Sequence, residues 1–211
     1  MTKPATIDAV LTAGPIIAVA TLADASRAAA IARALATGGV PVIEVTLRTA
    51  AALDVIRAIA DEVPEAIVGA GTVLSPADLE KAVQAGAAFV VSPGMTPSLW
   101  AAAADCPVPY LPAVSTPSEL MLGLEAGFTA FKFFPSHIGG PQALKSLHGP
   151  YPTARFCPTG GVTLQNAPEW LLCPNVAVVG GTWLTPDGAD EATVERLATE
   201  AVTALGPLQK R

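Results

Sequence analysis

Three helix starts in this sequence share one chemistry, and their repetition limits what the chain can fold into. Ser75-Pro76, Thr96-Pro97 and Thr116-Pro117 each place a capping hydroxyl before a proline at the first helical position. The helix ends are as regular. "TGGVPVIEV", "QAGAAFVV" and "EAGFTAFKFF" set Gly39, Gly86 and Gly127 just before a short apolar run, as a left-handed cap feeding a strand requires. Between these marks lie eight short apolar segments: "PIIAVA", "VIEVT", "AIVGAGT", "FVVSP", "YLPAV", "FKFF", "RFCPTGG" and "VAVVGG". Most are separated by helical patterns such as "ADASRAAAIARALAT" and "AALDVIRAIADEV". Continuous apolar strands alternating with helices describe a parallel sheet covered on its faces. Eight such units favour an α/β fold of the TIM-barrel kind, a closed (β/α)8 barrel, over a doubly wound sheet, because no G-x-G-x-x-G follows the first segment. Residues 4 to 13 add an N-terminal helix. With 211 residues and no composition shift to mark a linker, residues 1–211 are expected to form a single, compact barrel domain.

Charge and cysteine usage narrow the function. The net charge is -6 and no run of Lys or Arg could track a phosphate backbone, so nucleic acid is not an expected partner. Hydrophobic residues reach 51% against 14% charged, which leaves little charge to cover a monomer and points to self-association. Cys106, Cys157 and Cys173 are odd in number and lack C-x-x-C spacing, which fits a reducing cytoplasm better than a disulfide framework or a zinc ribbon. His137 and His148 have no metal-binding spacing and read as structural or surface residues; neither a metal nor a cofactor is expected. The stretch from Ala9 to Ala23, with Lys3 ahead of it, has the look of a signal peptide. Asp8 and the Gly14-Pro15 break argue instead for a helix, a turn and a strand, and no membrane association is expected.

In a barrel of this kind the chemistry sits at the carboxyl ends of the strands. Those positions hold Glu44 and, just beyond, Arg48; Thr72; Ser92-Pro93; Pro112; Lys132; Thr159 with Gly160 and Gly161; and Gly180, Gly181 and Thr182. Alternation along a strand puts Lys132 and Phe134 on one face, opposite Phe131 and Phe133, and groups Glu44 with Val42 and Thr46. If Lys132 and Glu44 both point inward, two opposite charges meet in a low-dielectric interior. They could form a purely structural ion pair, although buried pairs often fail to repay their desolvation. Alternatively, the apolar shell disfavours the ammonium form, so that a neutral Lys132 amine can attack a carbonyl and form a Schiff base. Glu44, the one carboxylate within the eight segments, is then the acid/base candidate. Arg48 offers a bidentate fork for a carboxylate, or is an ordinary surface arginine. Thr72 could donate to the same carboxylate, or cap a helix. The two glycine pairs, on consecutive strands, suggest a barrel phosphate site, with a helix N-terminus expected behind the second pair.

Taken together, "EVTLRT", "VGAGTV", "SPG", "FKFFP", "CPTGG" and "VGGTWL" closely resemble the class I 2-dehydro-3-deoxyphosphogluconate aldolases that also act as 4-hydroxy-2-oxoglutarate aldolases, over Gly14 to Leu184. The resemblance implies Lys132 as the Schiff-base lysine and Glu44 as a proton carrier acting through a water. It implies Arg48 and Thr72 on the pyruvate carboxylate, Pro93 and Phe134 as pocket walls, and Gly160, Gly161, Gly180, Gly181 and Thr182 on the substrate phosphate. The implied partners are a phosphorylated keto acid, pyruvate and an aldehyde, in a homotrimer. Relatives often carry a basic residue near Thr21, a carboxylate at His137 and serine at Thr182, so Thr21 and His137 leave the sugar-end selectivity open. Thr159 favours the gluconate substrate over its galactonate epimer. Two other readings are a phosphate-binding isomerase or synthase, in which Lys132 has no role, and a non-catalytic barrel that senses a phosphorylated sugar acid.

Overall fold

The computed structural model describes residue 4 and residues 6–209; Lys3, invoked above as a basic start, lies outside them. In chain order the elements are α1 (Ile7–Leu11), β1 (Ile16–Ala20), α2 (Ala28–Thr37), β2 (Val42–Thr46), α3 (Ala52–Glu62), β3 (Ile67–Gly71), α4 (Pro76–Gln84), β4 (Val90–Val91), α5 (Pro97–Ala104), β5 (Tyr110–Leu111), β6 (Ala113–Val114), α6 (Pro117–Glu125), β7 (Ala130–Phe133), α7 (Gly140–His148), β8 (Arg155–Pro158), α8 (Ala167–Leu171), β9 (Val179–Gly181) and α9 (Glu191–Leu205).

The helix punctuation has the expected cause. Ser75, Thr96 and Thr116 each accept from a backbone N–H three residues on, and Thr116 forms a full capping box with Glu119. Every strand pairing is parallel. One sheet runs β5-β4-β3-β2-β1-β9 and a second runs β6-β7-β8. The segment "YLPAV", expected as one strand, is two. Pro112 has no N–H to give to a ladder, and its carbonyl accepts from Lys132 N at 2.8 Å, so β5 pairs with β4 while β6 pairs with β7. On the other side, an isolated bridge joins Thr159 to Gly180.

Side-chain alternation sorts the core into two layers. Ile17, Val42, Ile67, Val91, Leu111, Ala130, Cys157 and Val178 share an inner cluster, to which α1 adds Val10 and Leu11. The α1 helix therefore packs on this layer, and its Asp8 pairs with Arg155 at the start of β8. Ile16, Ile43, Val45, Phe131, Phe133 and Phe156 face the other way, into the layer covered by helices. There α2 presents Ala28, Ile31, Ala32 and Leu35, a stripe at helical spacing that is fully or nearly fully buried. Each such Ile or Leu contributes about 1.5–3 kcal/mol by leaving water.

Candidate active site

β7 carries Lys132 inward because its flanking residues, Phe131 and Phe133, are claimed by the outer layer. β2 turns Glu44 inward by the same rule, with Ile43 and Val45 packed outside. The two side chains meet: Lys132 Nζ lies 2.7 Å from Glu44 Oε1, with Lys132 only 5% and Glu44 2% exposed. Space for the carboxylate comes from Gly71 on the neighbouring strand, where a Cβ would stand 2.6 Å from Glu44 Cγ. The Phe134 ring covers the ammonium from 5.5 Å. In register with Lys132 on β8 is Cys157, whose thiol is pushed up to about 12 by burial; Lys132 pulls it down, Glu44 pushes it up, and Thr159 pulls it down. Such a thiol stays protonated and inert.

Arg48 follows β2 and is exposed. It lines a cavity of about 430 Å³ together with Val19, Thr21, Thr182, Thr185, Pro186 and Asp187. Val19 stands in register with Glu44, so this cavity opens one strand away from the charged pair. Thr21 shares a hydrogen bond with Thr46, Oγ1 to Oγ1 at 2.8 Å, which brings it into the site mouth. Thr72 is half-buried at φ +60°, the only described non-glycine residue with positive φ. A β-branched residue held there costs on the order of 1–3 kcal/mol and persists where the surroundings enforce it. It caps no helix: Ser75 caps α4, accepting from Asp78 N at 3.2 Å. Pro93 lies half-buried at the end of β4. Its turn is fastened from behind, since Ser92 Oγ donates to Gly94 O and also meets Tyr110 Oη at 2.6 Å.

The two glycine pairs have different causes. Gly160 and Gly161 lie at φ +94° and +82°, a turn that L side chains rarely follow. Gly180 and Gly181 are strand residues. The Thr159 side chain fills the space a Cβ on Gly180 would take, and the Trp183 ring fills it at Gly181. Close packing thus explains the second pair by itself. The helix N-terminus expected behind it is absent: a turn at residues 183–184 follows β9, and α9 starts only at Glu191, capped by Asp190. Thr182 is exposed on that loop. Thr159, 3% exposed, points inward beside Cys157. His137 is exposed beside the first pair, its Cβ 3.2 Å from where a Cβ of Gly161 would be; His148 lies on α7. The described residues bring together no group of three His, Cys, Asp or Glu that could hold a metal.

Sequence reasoning missed Thr46, Ser136 and Asp187. Ser136 directly follows "FKFFP", is fully buried and could have been found by carrying the alternation one step past Phe134; Thr46 was grouped with Glu44 by the alternation but given no role, and its partner Thr21 comes from the end of another strand, β1. Asp187 sits in an irregular loop whose course no periodicity foretells.

With this geometry in hand, comparison with known proteins is direct. The KHG/KDPG aldolase of Escherichia coli K12 is 48% identical over 200 residues, covering 92% of this chain and 94% of that one. The crystal structure of the 2-keto-3-deoxy-6-phosphogluconate aldolase of Zymomonas mobilis ZM4 with 3-phosphoglycerate superposes with a TM-score of 0.89 at 45% identity, covering 93% of this chain and 94% of that one. The KDPG aldolase of Legionella pneumophila, with pyruvate captured as a covalent carbinolamine intermediate, superposes with a TM-score of 0.86 at 39% identity, covering 96% and 98%. Residues 7–199 match the aldolase family described as KDPG and KHG aldolase, and the chain belongs to that family.

Proposed function

We propose that this chain is a class I aldolase that cleaves 2-dehydro-3-deoxy-6-phosphogluconate to pyruvate and glyceraldehyde 3-phosphate, and 4-hydroxy-2-oxoglutarate to pyruvate and glyoxylate. The observation that carries the proposal is the buried Lys132–Glu44 contact at 2.7 Å. In the resting pair Glu44 holds the ammonium; passing one proton to the carboxylate frees the amine. That amine attacks the C2 carbonyl of the keto acid, and the carbinolamine loses water to give an iminium. Proton removal from the C4 hydroxyl breaks the C3–C4 bond and releases the aldehyde; the bond's electron pair becomes the C2=C3 double bond of an enamine as the C=N pair passes to nitrogen. Protonation at C3 and hydrolysis return pyruvate and Lys132. These proton transfers are assigned to Glu44, and its contact with Lys132 Nζ supports the assignment.

Arg48 and Thr72 are assigned to the substrate carboxylate, Pro93, Phe134 and Thr159 to the pocket walls, and Gly160, Gly161, Gly180, Gly181 and Thr182 to the phosphate. Thr21 and His137 stand at the sugar end. The iminium supplies the electron sink, so no metal is required. We further read residues 1–211 as one closed (β/α)8 barrel with α1 as an additional helix. The inner cluster with residues from β1, β2, β3, β4, β5, β7 and β8 and with Val178 just before β9, the chain continuity across Pro112 and the Thr159–Gly180 bridge support closure. Exposed Leu74, Met121, Leu122, Ile138 and Leu172 support assembly, proposed as a homotrimer in the cytoplasm. Incubation with pyruvate and borohydride should add one reduced pyruvyl group to Lys132, seen by peptide mass. An unmodified Lys132 would overturn the Schiff-base reading in favour of a phosphosugar-binding barrel.

A further inference from the structure

Ser136 is fully buried immediately after Pro135, and both of its donors are committed to the turn after β8. Its backbone N–H donates to Thr159 O at 2.9 Å, and its hydroxyl donates to Gly160 O at 2.7 Å. A third clamp follows: Asn166 Nδ2 donates to Gly161 O at 3.0 Å, while Asn166 Oδ1 accepts from Thr163 N at 2.8 Å. In a trans peptide the N–H points opposite to the C=O of the same unit. Holding Gly160 O therefore turns the Gly161 N–H away from Ser136, and holding Gly161 O turns the Val162 N–H away from Asn166. Neither amide donates to any described residue, and Gly161 is exposed. Without a Cβ, Gly160 and Gly161 leave these planes easy to rotate out of the positive-φ turn they adopt, so something must hold them.

We infer that Ser136 is a positioning residue for anion binding: its hydroxyl fixes the Gly160–Gly161 peptide plane so that the Gly161 amide is presented, ready oriented, to the phosphate of the substrate. The inference rests on the phosphate assignment above and deepens it. Glycine supplies the freedom to present an amide, and Ser136 removes the freedom to present it wrongly. An amide held in place before binding spares the ligand the ordering cost.

The experiment compares kcat/KM for the phosphorylated six-carbon substrate and its dephosphorylated analogue, together with competitive inhibition by inorganic phosphate, in wild type and Ser136→Ala. The substitution deletes one bond and leaves the backbone donor to Thr159 O in place. The ratio of the two kcat/KM values should fall by about tenfold, through KM, and the phosphate inhibition constant should rise by a similar factor. Ser136→Cys fills the site with a weaker donor and should fall between them; it also serves if the alanine variant does not fold. Asn166→Ala, which frees the next plane, should shift the ratio in the same direction. An unchanged ratio in folded Ser136→Ala, with only a lowered Tm, overturns the inference and leaves the phosphate assignment standing. A wild type that shows no preference for the phosphorylated substrate removes both.

Discussion

Lys132 and Glu44 are withdrawn almost entirely from solvent, whereas Gly161 and Thr182, at the other end of the proposed substrate, are exposed. The first region is made by strands. Alternation sends two charges inward because their neighbours are consumed by the outer core, and Gly71 leaves room for one of them. The second region is made by turns, and what it offers is backbone held by Ser136 and Asn166. The contrast suits the tasks: the amine meets its proton carrier directly, out of contact with solvent, while a phosphate handle can stay wet and supply binding energy remote from the reacting carbons.

The comparison breaks most severely at the lysine. Lys132→Met should lower turnover by at least about ten-thousandfold and abolish borohydride trapping, because no other amine adjoins Glu44 among the described ion pairs. Left alone, buried Glu44 should also destabilise the fold by about 3–5 kcal/mol, which a thermal melt would register. Adding Glu44→Gln to that variant should restore most of the lost Tm without restoring activity. A double variant as unstable as Lys132→Met would show that the cost lies in packing and not in the unpaired charge.

Glu44→Gln alone should be smaller, on the order of a hundredfold in kcat, with the protein folded and still slowly trapped by pyruvate. Full wild-type turnover in a folded Gln variant would return the pair to a purely structural role. At the turn-built end, removing the substrate phosphate should cost about a hundredfold in kcat/KM, equivalent to roughly 2.7 kcal/mol, measured by parallel kinetics on the two substrates. Equal cleavage of both would reduce the glycine turns to packing.

This division also decides what the sequence could reveal. The strand-built end was largely legible, because a period of two and the lone carboxylate of "VIEVT" single out Glu44 and Lys132 as a pair on condition that both faces turn inward, which the structure shows they do. The caps were legible too, since Ser75, Thr96 and Thr116 act through local hydrogen bonds. Turn-built features were not. The glycine pairs look alike in the sequence, yet Gly160 and Gly161 are needed for backbone conformation and Gly180 and Gly181 for the approach of Thr159 and Trp183. Only the fold brings Thr159 over Gly180. The same close packing makes a side chain at Gly181 a poor probe of the phosphate, because it would first displace the indole. The split of "YLPAV" at Pro112 was readable in principle from the missing N–H, but which neighbour each half would join depends on the sheet.

The smallest expected effect lies at the far end of the exposed loop that carries Thr182. Asp190 caps α9, its carboxylate accepting from Thr193 N at 2.9 Å, and α9 packs Val194, Ala198, Ala201 and Leu205 into the core. Hydrogen bonds from Thr193 hold the Asp190 carboxyl below its ordinary value, and the exposed setting keeps the effect modest. A carboxylate with a lowered pKa in the folded state stabilises above the unfolded value near 4, and that contribution is lost as pH falls through the folded value. Asp190→Ala should therefore lower Tm by a few degrees at pH 7. The gap from wild type should narrow as the melts are repeated at progressively lower pH below 4. Asp190→Asn, which keeps a cap oxygen but no charge, should lose less and respond less to pH. The kcat/KM ratio between phosphorylated and dephosphorylated substrates should stay within about twofold of wild type in both variants, since the cap anchors the helix and not the Gly160–Gly161 turn. A large fall in that ratio would mean that the phosphate end is held by the whole loop from Thr182 to Asp190, and the contrast between a strand-built and a turn-built end would have to be redrawn around that loop.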